Sequence, residues 1–346
     1  MEKKVVYELK SLYRDNLRVT GYTFGDGEKS LCIIGNLRGN EYQQIYICSQ
    51  LVKRLTELEA DGKILLGHQI MVIPSGNPYS MNLEKRFWPT DNTDINRMFP
   101  GYDLGETTQR IAAGIFEAVT GYHNGIQFTS FYMPGDFLPH VRIMDTGRDY
   151  REKAKSFGLP YIVKRAPRPY DTTTLNYNWQ IWETDAFSLY STTTERIDEE
   201  SAGQMVASVL NFMIAEGMLD DTVKSCVCDC ETDRTDDPSG KMQDGSKIGV
   251  TKSSGKMRES NVPVHVDSRM VDDGALVAVR PYTAGVFKSC VRVGQTVKKD
   301  DLLAEIHDPY DGTVREKLRA PIAGDVFFVH THPMTYANTA VVKIMP

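Results

Sequence analysis

Residues 77–101, NPYSMNLEKRFWPTDNTDINRMFPG, carry two arginines, Arg86 and Arg97, with Asn96 beside the second. A guanidinium is a planar fork that pairs two ways with a carboxylate and keeps its charge, so these residue types suit carboxylate recognition. A single loop arginine is more often simply solvated. The flanks say where this loop sits. Before it, HQIMVIPSGNP (68–78) reads as a strand running into a turn, and after it Thr107 to Val119 reads as a helix with Ile111, Ile115, Phe116 and Val119 on one side. Further out, SLCIIGN (30–36) suits a buried strand. Glu41 to Leu58 has helical apolar spacing, and GYHNGIQFTSFYM contains another strand. AFSLYSTTT (186–194) is strand-like and Glu199 to Leu219 is an amphipathic helix. Alternation of this kind over residues 1–219 predicts an α/β domain.

The C-terminal part reads differently. From 220 to 262 Asp, Ser, Gly, Lys and Thr dominate, which predicts a polar insertion or linker. From 263 to 346 short strands alternate with Gly-containing turns, which predicts a small β barrel or sandwich. The insertion holds Cys226, Cys228 and Cys230; alternating thiols could face a soft metal, but three cysteines without a local fourth partner also fit idle or reactive thiols. The other cysteines are scattered, and nothing resembles a secreted disulfide framework.

A chain of 346 residues is expected to form more than one domain. Its net charge of −6 argues against a nucleic-acid partner. No apolar run approaches the ~20 residues a membrane span needs, and the N-terminus lacks the apolar core of a secretory signal. The expectation is a cytoplasmic protein without a membrane partner. Its oligomeric state is left open, a homo-oligomer among the options.

Four segments resemble the succinylglutamate desuccinylase/aspartoacylase branch of the zinc-carboxypeptidase-like hydrolases. GNLRGNE (35–41) is similar to the turn G-x-x-H-G-x-E that supplies two zinc ligands, with Glu41 in the Glu position and Arg38 in the His position. The 77–101 block is similar to the family's N-P, R-F and D-x-N-R-x-F-P-G elements. The resemblance implies that Asn96 and Arg97 bind the substrate carboxylate and that Arg86 polarises the scissile carbonyl. GYHNG (121–125) is similar to D-L-H-x-G, which gives His123 the role of third zinc ligand, although a lone His near a strand end is more often structural. AFSLYSTTTERIDEES (186–201) is similar to the strand and turn that carry the general base, and the Glu position falls on Tyr190. The fold implied is a zinc-carboxypeptidase-like α/β domain with a mostly parallel mixed sheet, followed by the small β domain.

The resemblance implies zinc and hydrolysis of amide bonds in N-acyl amino acids or peptides. The residues argue against unaltered chemistry. A guanidinium has no lone pair to donate. Two unit charges ~4 Å apart interact by about 4 kcal/mol at an effective dielectric near 20, so a divalent ion beside Arg38 is strongly repelled. A phenol at 190 is a poor general base at neutral pH. The alternative to impaired hydrolysis is a binder of small carboxylates, with Arg38 paired to Glu41 and a cationic pocket completed by Arg86 and Arg97. Retained hydrolysis would need another donor, such as His140, and another base, such as Glu195. His68, His307, His330 and His332 are more economically read as structural, and His265 falls in the same β-rich region.

Overall fold

The computed structural model describes residues 1–12, 15–131, 133–223 and 268–346, so Cys226, Cys228, Cys230 and His265 lie outside the described residues. Chain order begins β1 (Glu2–Leu9), β2 (Leu17–Phe24), β3 (Gly27–Ile34), α1 (Tyr42–Ala60), β4 (Gly67–Ile73), α2 (Pro78–Asn82), α3 (Thr107–Val119) and β5 (Asn124–Phe128). It continues β6 (Gly135–Phe137), β7 (His140–Met144), α4 (Arg151–Lys155), β8 (Tyr161–Arg165), α5 (Leu175–Ile181), β9 (Asp185–Tyr190) and α6 (Glu199–Ala215). From residue 268 onward come β10 (Arg269–Asp272), β11 (Val277–Val279), β12 (Gly285–Ser289), β13 (Thr296–Val297), β14 (Leu302–His307), β15 (Val314–Arg319), β16 (Gly324–His330), β17 (Met334–Thr335) and β18 (Val342–Met345).

Nine strands make one mixed sheet in the order β1-β2-β4-β3-β5-β9-β7-β8-β10. Its centre, β4-β3-β5-β9, is parallel, while the β1-β2, β2-β4 and β7-β9 pairings are antiparallel. Strand β3 shows why its sequence is a continuous apolar run. Leu31 and Ile33 enter one core with Ile47, Leu51 and Leu55 of α1 and Val209 and Leu210 of α6. Cys32 and Ile34 point the other way, into a core with Ile111 and Ile115 of α3 and Trp179 of α5. Both faces are covered by helices, so both alternations must be apolar.

The C-terminal strands form two antiparallel sheets, β11-β18-β16-β13 and β15-β14-β12-β17, around a shared core that includes Leu303, Ile306, Val326 and Ile344. No pairing among the described strands joins them into one closed sheet. The boundary expected near 263 is not a clean cut. Strand β10, beyond it, adds in parallel to β8 of the large sheet, and β6, before it, adds to β16 of the smaller one. Each unit thereby pairs an edge that would otherwise present bare backbone groups. This interlocking holds the β domain against the site.

Candidate functional site

The turns that follow the parallel strands at their carboxyl ends are where open α/β sheets gather their ligands. After β3 the chain enters residues 35–41. Gly39 there passes so close to the loop after α2 that an added Cβ would lie 2.3 Å from the Lys85 carbonyl oxygen. Its N–H donates to the Arg86 carbonyl at 3.0 Å, which docks the Arg86 segment beside Arg38. The 3-10 turn Ile95–Arg97 is capped by Asp94, whose Oδ1 accepts the Asn96 N–H at 3.1 Å.

Arg38 is 4% exposed and its guanidinium fills the centre of the turn. Nε and Nη2 donate to Asp94 Oδ2 at 3.1 and 2.9 Å. Nη1 lies 3.5 Å from Glu41 Oε1 and donates to the Ser130 carbonyl at 3.2 Å. The Arg38–Glu41 pairing expected from the sequence is present, but Asp94 is the closer partner. Burial by itself would lower the Arg38 pKa; Asp94 and Glu41 outweigh it and hold the group above its ordinary value. Glu41, 1% exposed, also accepts the Ser130 hydroxyl at 2.5 Å and the Arg38 backbone N–H at 3.2 Å.

The position assigned to His123 is corrected. His123 is exposed at the start of β5, where its N–H donates to the Lys29 carbonyl at 2.8 Å. Strand β5 runs parallel to β3 with Leu31 beside Asn124 and Ile34 beside Gln127. The residue that arrives next to Glu41 is therefore Ser130, seven residues on, about 20 Å further along an extended chain. Counting to the carboxyl end of the strand in QFTSF would have found it. Among the described residues no three His, Cys, Asp or Glu side chains converge where they could hold a metal ion. The groups at the turn are two carboxylates, Glu41 and Asp94, both paired with Arg38, one hydroxyl and the guanidinium itself, a set without imidazole or thiolate that does not fit zinc.

Arg86 donates through Nη2 to the Phe131 carbonyl at 2.7 Å and to Ser130 Oγ at 3.3 Å, while its buried Nε has no partner. Burial, then repulsion from Arg38, pull its pKa below the ordinary value. Glu195, held by Asn40 at 2.7 Å, shares with Arg86 a small pocket of about 140 Å³. Tyr190 faces a different space. It lines a cavity of about 550 Å³ with Arg38, Asn96, Arg97 and Ser130. The structure thus brings Arg38, Asn96, Arg97 and Tyr190 into one cavity, places Arg86 and Glu195 on its neighbour, and leaves His123 outside both.

Asn96, 5% exposed, accepts the Leu175 N–H at 3.4 Å. Arg97 is braced by the Tyr170 carbonyl and by Asp171 at 3.3 Å. The Tyr190 hydroxyl accepts from Arg142 Nη1 at 2.9 Å, and its ring stacks on His140 at 4.5 Å between centroids. His140 is no spare ligand for the Arg38 turn. Its Nδ1 is bonded to the Leu138 carbonyl at 2.7 Å, its Nε2 has no partner, and burial followed by the Arg142 charge drives its pKa well down. Arg142, Arg165, Arg168 and Lys343 also line the cavity, and no linear motif marks them.

Helix-covered parallel strands bring the Asn96–Arg97 pair to one cavity, beside an antiparallel β domain. Residues 27–127 match the model of the succinylglutamate desuccinylase/aspartoacylase catalytic domain. It is 26% identical over 190 residues to the N-alpha-acetyl-L-2,4-diaminobutyric acid deacetylase of Halomonas elongata; the match covers 51% of this chain and 47% of that protein, about half of each. In fold it is similar to a succinylglutamate desuccinylase from Silicibacter sp. TM1040, with TM-score 0.74 and 17% identity over 99% of this chain and 94% of that one. The product-bound ectoine utilization protein EutE (DoeB) of Ruegeria pomeroyi gives TM-score 0.70 and 18% identity over 95% and 89%. At these identities the structural likenesses speak for the fold. No described helix is long and apolar enough to cross a membrane.

Proposed function

We propose that this protein binds a small carboxylate-bearing ligand of the N-acyl amino acid class in the 550 Å³ cavity and has given up metal-assisted hydrolysis. One observation carries the reading: the Arg38 guanidinium occupies the turn beside Glu41, hydrogen-bonded to Asp94 and to the Ser130 carbonyl and 3.5 Å from Glu41 Oε1. A permanent cation at that point supplies positive charge without an exchangeable coordination position for water. Asn96 and Arg97 would take the ligand carboxylate, and Tyr190 would donate a hydrogen bond to a ligand oxygen without serving as a base. The family's acyl-amino-acid chemistry and the named deacetylase relative support the ligand class.

The test is metal analysis of protein purified without a polyhistidine tag, together with calorimetric binding of N-acetyl amino acids. The expected result is substoichiometric zinc in the native chain, measurable binding, and unchanged ligand after prolonged incubation. Combining Arg38→His with Ser130→His should then raise zinc content towards one ion per chain. Stoichiometric zinc in the native protein, or turnover of the bound ligand, would overturn the proposal.

A further inference from the structure

The cavity wall holds seven arginines and lysines against two aspartates, in a chain whose net charge is −6. Some of these cations are already answered. Arg38 is paired with Asp94 and Glu41, and Arg97 and Arg165 share Asp171 at 3.3 and 2.8 Å. Arg280 donates to the Asn338 carbonyl at 2.6 Å, and three others have no carboxylate within hydrogen-bonding distance among the described residues. Arg142 of β7 is 5% exposed, its Nε has no partner, and its nearest carboxylate, Asp273, is 3.9 Å away, beyond hydrogen-bonding distance. Arg168, in the loop after β8, bonds the Tyr170 hydroxyl at 2.6 Å and makes no ion pair among the described residues. Lys343 of β18 has Nζ 4.7 Å over the Phe131 ring and no ion pair or hydrogen bond among the described residues.

Those three cations come from three separate segments, one of them the β domain. Holding them together around an open cavity is costly unless a ligand answers them. Burial, together with Arg142, Arg165 and Arg168 and against Asp273, pushes the Lys343 ammonium down to about 8. It is crowded by like charge and short of anions. The single charge of a carboxylate is matched by one bidentate guanidinium, as Arg97 can supply. A doubly charged phosphate, with three acceptor oxygens, suits several monodentate donors, with lysine acting as a point charge.

We propose that the cavity takes a ligand bearing a phosphate in addition to its carboxylate, with the carboxylate on Asn96 and Arg97 and the phosphate against Arg142, Arg168 and Lys343. This inference rests on the carboxylate-binding reading above and adds a second, separate anion subsite.

Calorimetry with N-acetyl-O-phospho-L-serine, N-acetyl-L-serine and N-acetyl-L-glutamate tests it. The phosphorylated probe should bind about 10- to 100-fold more tightly than N-acetylserine, the range expected for hydrogen bonds to charged groups. Lys343→Met and Arg168→Met should each collapse most of that difference. Arg168 is peripheral enough that its loss leaves folding intact, so one variant stays informative if the other misfolds. Equal binding of the phosphorylated and unphosphorylated probes would overturn the second subsite and leave the carboxylate reading standing. An N-acetylglutamate affinity matching that of the phosphorylated probe would overturn the phosphate assignment. Failure of all three probes to bind would remove both.

Discussion

Arg38 and Lys343 are both cations pressed into one cavity, and their surroundings are opposite. Around Arg38 the nearby charges are negative: Asp94 and Glu41 raise its pKa despite near-complete burial. Lys343 is pushed down to about 8 by burial first, with nearby charges that are mostly positive adding to it against Asp273. The first arrangement is internally neutralised and belongs to the architecture. The second stores unfavourable electrostatics that a bound anion would relieve. Equal formal charge therefore says little about role; the number of carboxylates within reach decides whether a buried cation is a strut or a binding group.

The sharpest way to break this contrast is Arg38→Met. It strands Asp94 and Glu41 without their counter-ion and should cost about 3–5 kcal/mol, the usual price of orphaning a buried charge, read from urea denaturation. A near-neutral outcome would mean that Arg38 is not structural. Lys343→Met should go the other way and stabilise the fold by roughly 1–3 kcal/mol at pH 7, because it removes a desolvated ammonium. A loss of stability there would erase the distinction.

The same contrast has a pH signature. Folded Lys343 releases its proton near 8, the unfolded chain near the ordinary 10.5, so the unfolded state holds more protons in between. Stability should rise as pH goes from about 8 to 10.5, and Lys343→Met should flatten that rise. Asp273, Arg142, Arg165 and Arg168 are the charged groups facing it, and of these only Asp273 favours its protonated form. The smallest effect concerns His140, stacked on Tyr190 and kept neutral by burial. Its folded pKa lies well below the ordinary 6.5, so unfolding takes up a proton and stability should fall as pH drops below about 6.5. His140→Phe should flatten that acid limb, with a change of about 1 kcal/mol or less near neutrality.

Much of the frame could be read from linear pattern. The helix expected over Thr107 to Val119 has those ends, and the strand at 186–194 is present as Asp185–Tyr190. The helix expected over Glu199 to Leu219 ends at Ala215, after which the chain turns so that Leu219 can bridge to Ile64. These succeed because burial on one or both faces imposes a period that local spacing records. The His123 assignment fails for a related reason. A motif match aligns letters, whereas a parallel sheet aligns strand ends, and only the register of β5 on β3 puts Ser130 rather than His123 against Glu41.

By itself the sequence determined the α/β alternation, the β-rich C-terminal region, the carboxylate-suited Asn96–Arg97 pair and the presence of a guanidinium at 38. Its reach ended there because those features are local: side-chain periodicity and residue identity. Tertiary structure alone decided that Asp94 answers Arg38, that Tyr190 and Glu195 face different pockets, and that Arg142, Arg168 and Lys343 share one wall. Lys343 lies 201 positions beyond Arg142 in the chain, and it reaches the wall because β6 and β10 lock the β domain onto the large sheet. Electrostatic energy depends on separation in space, and no spacing along the chain encodes it.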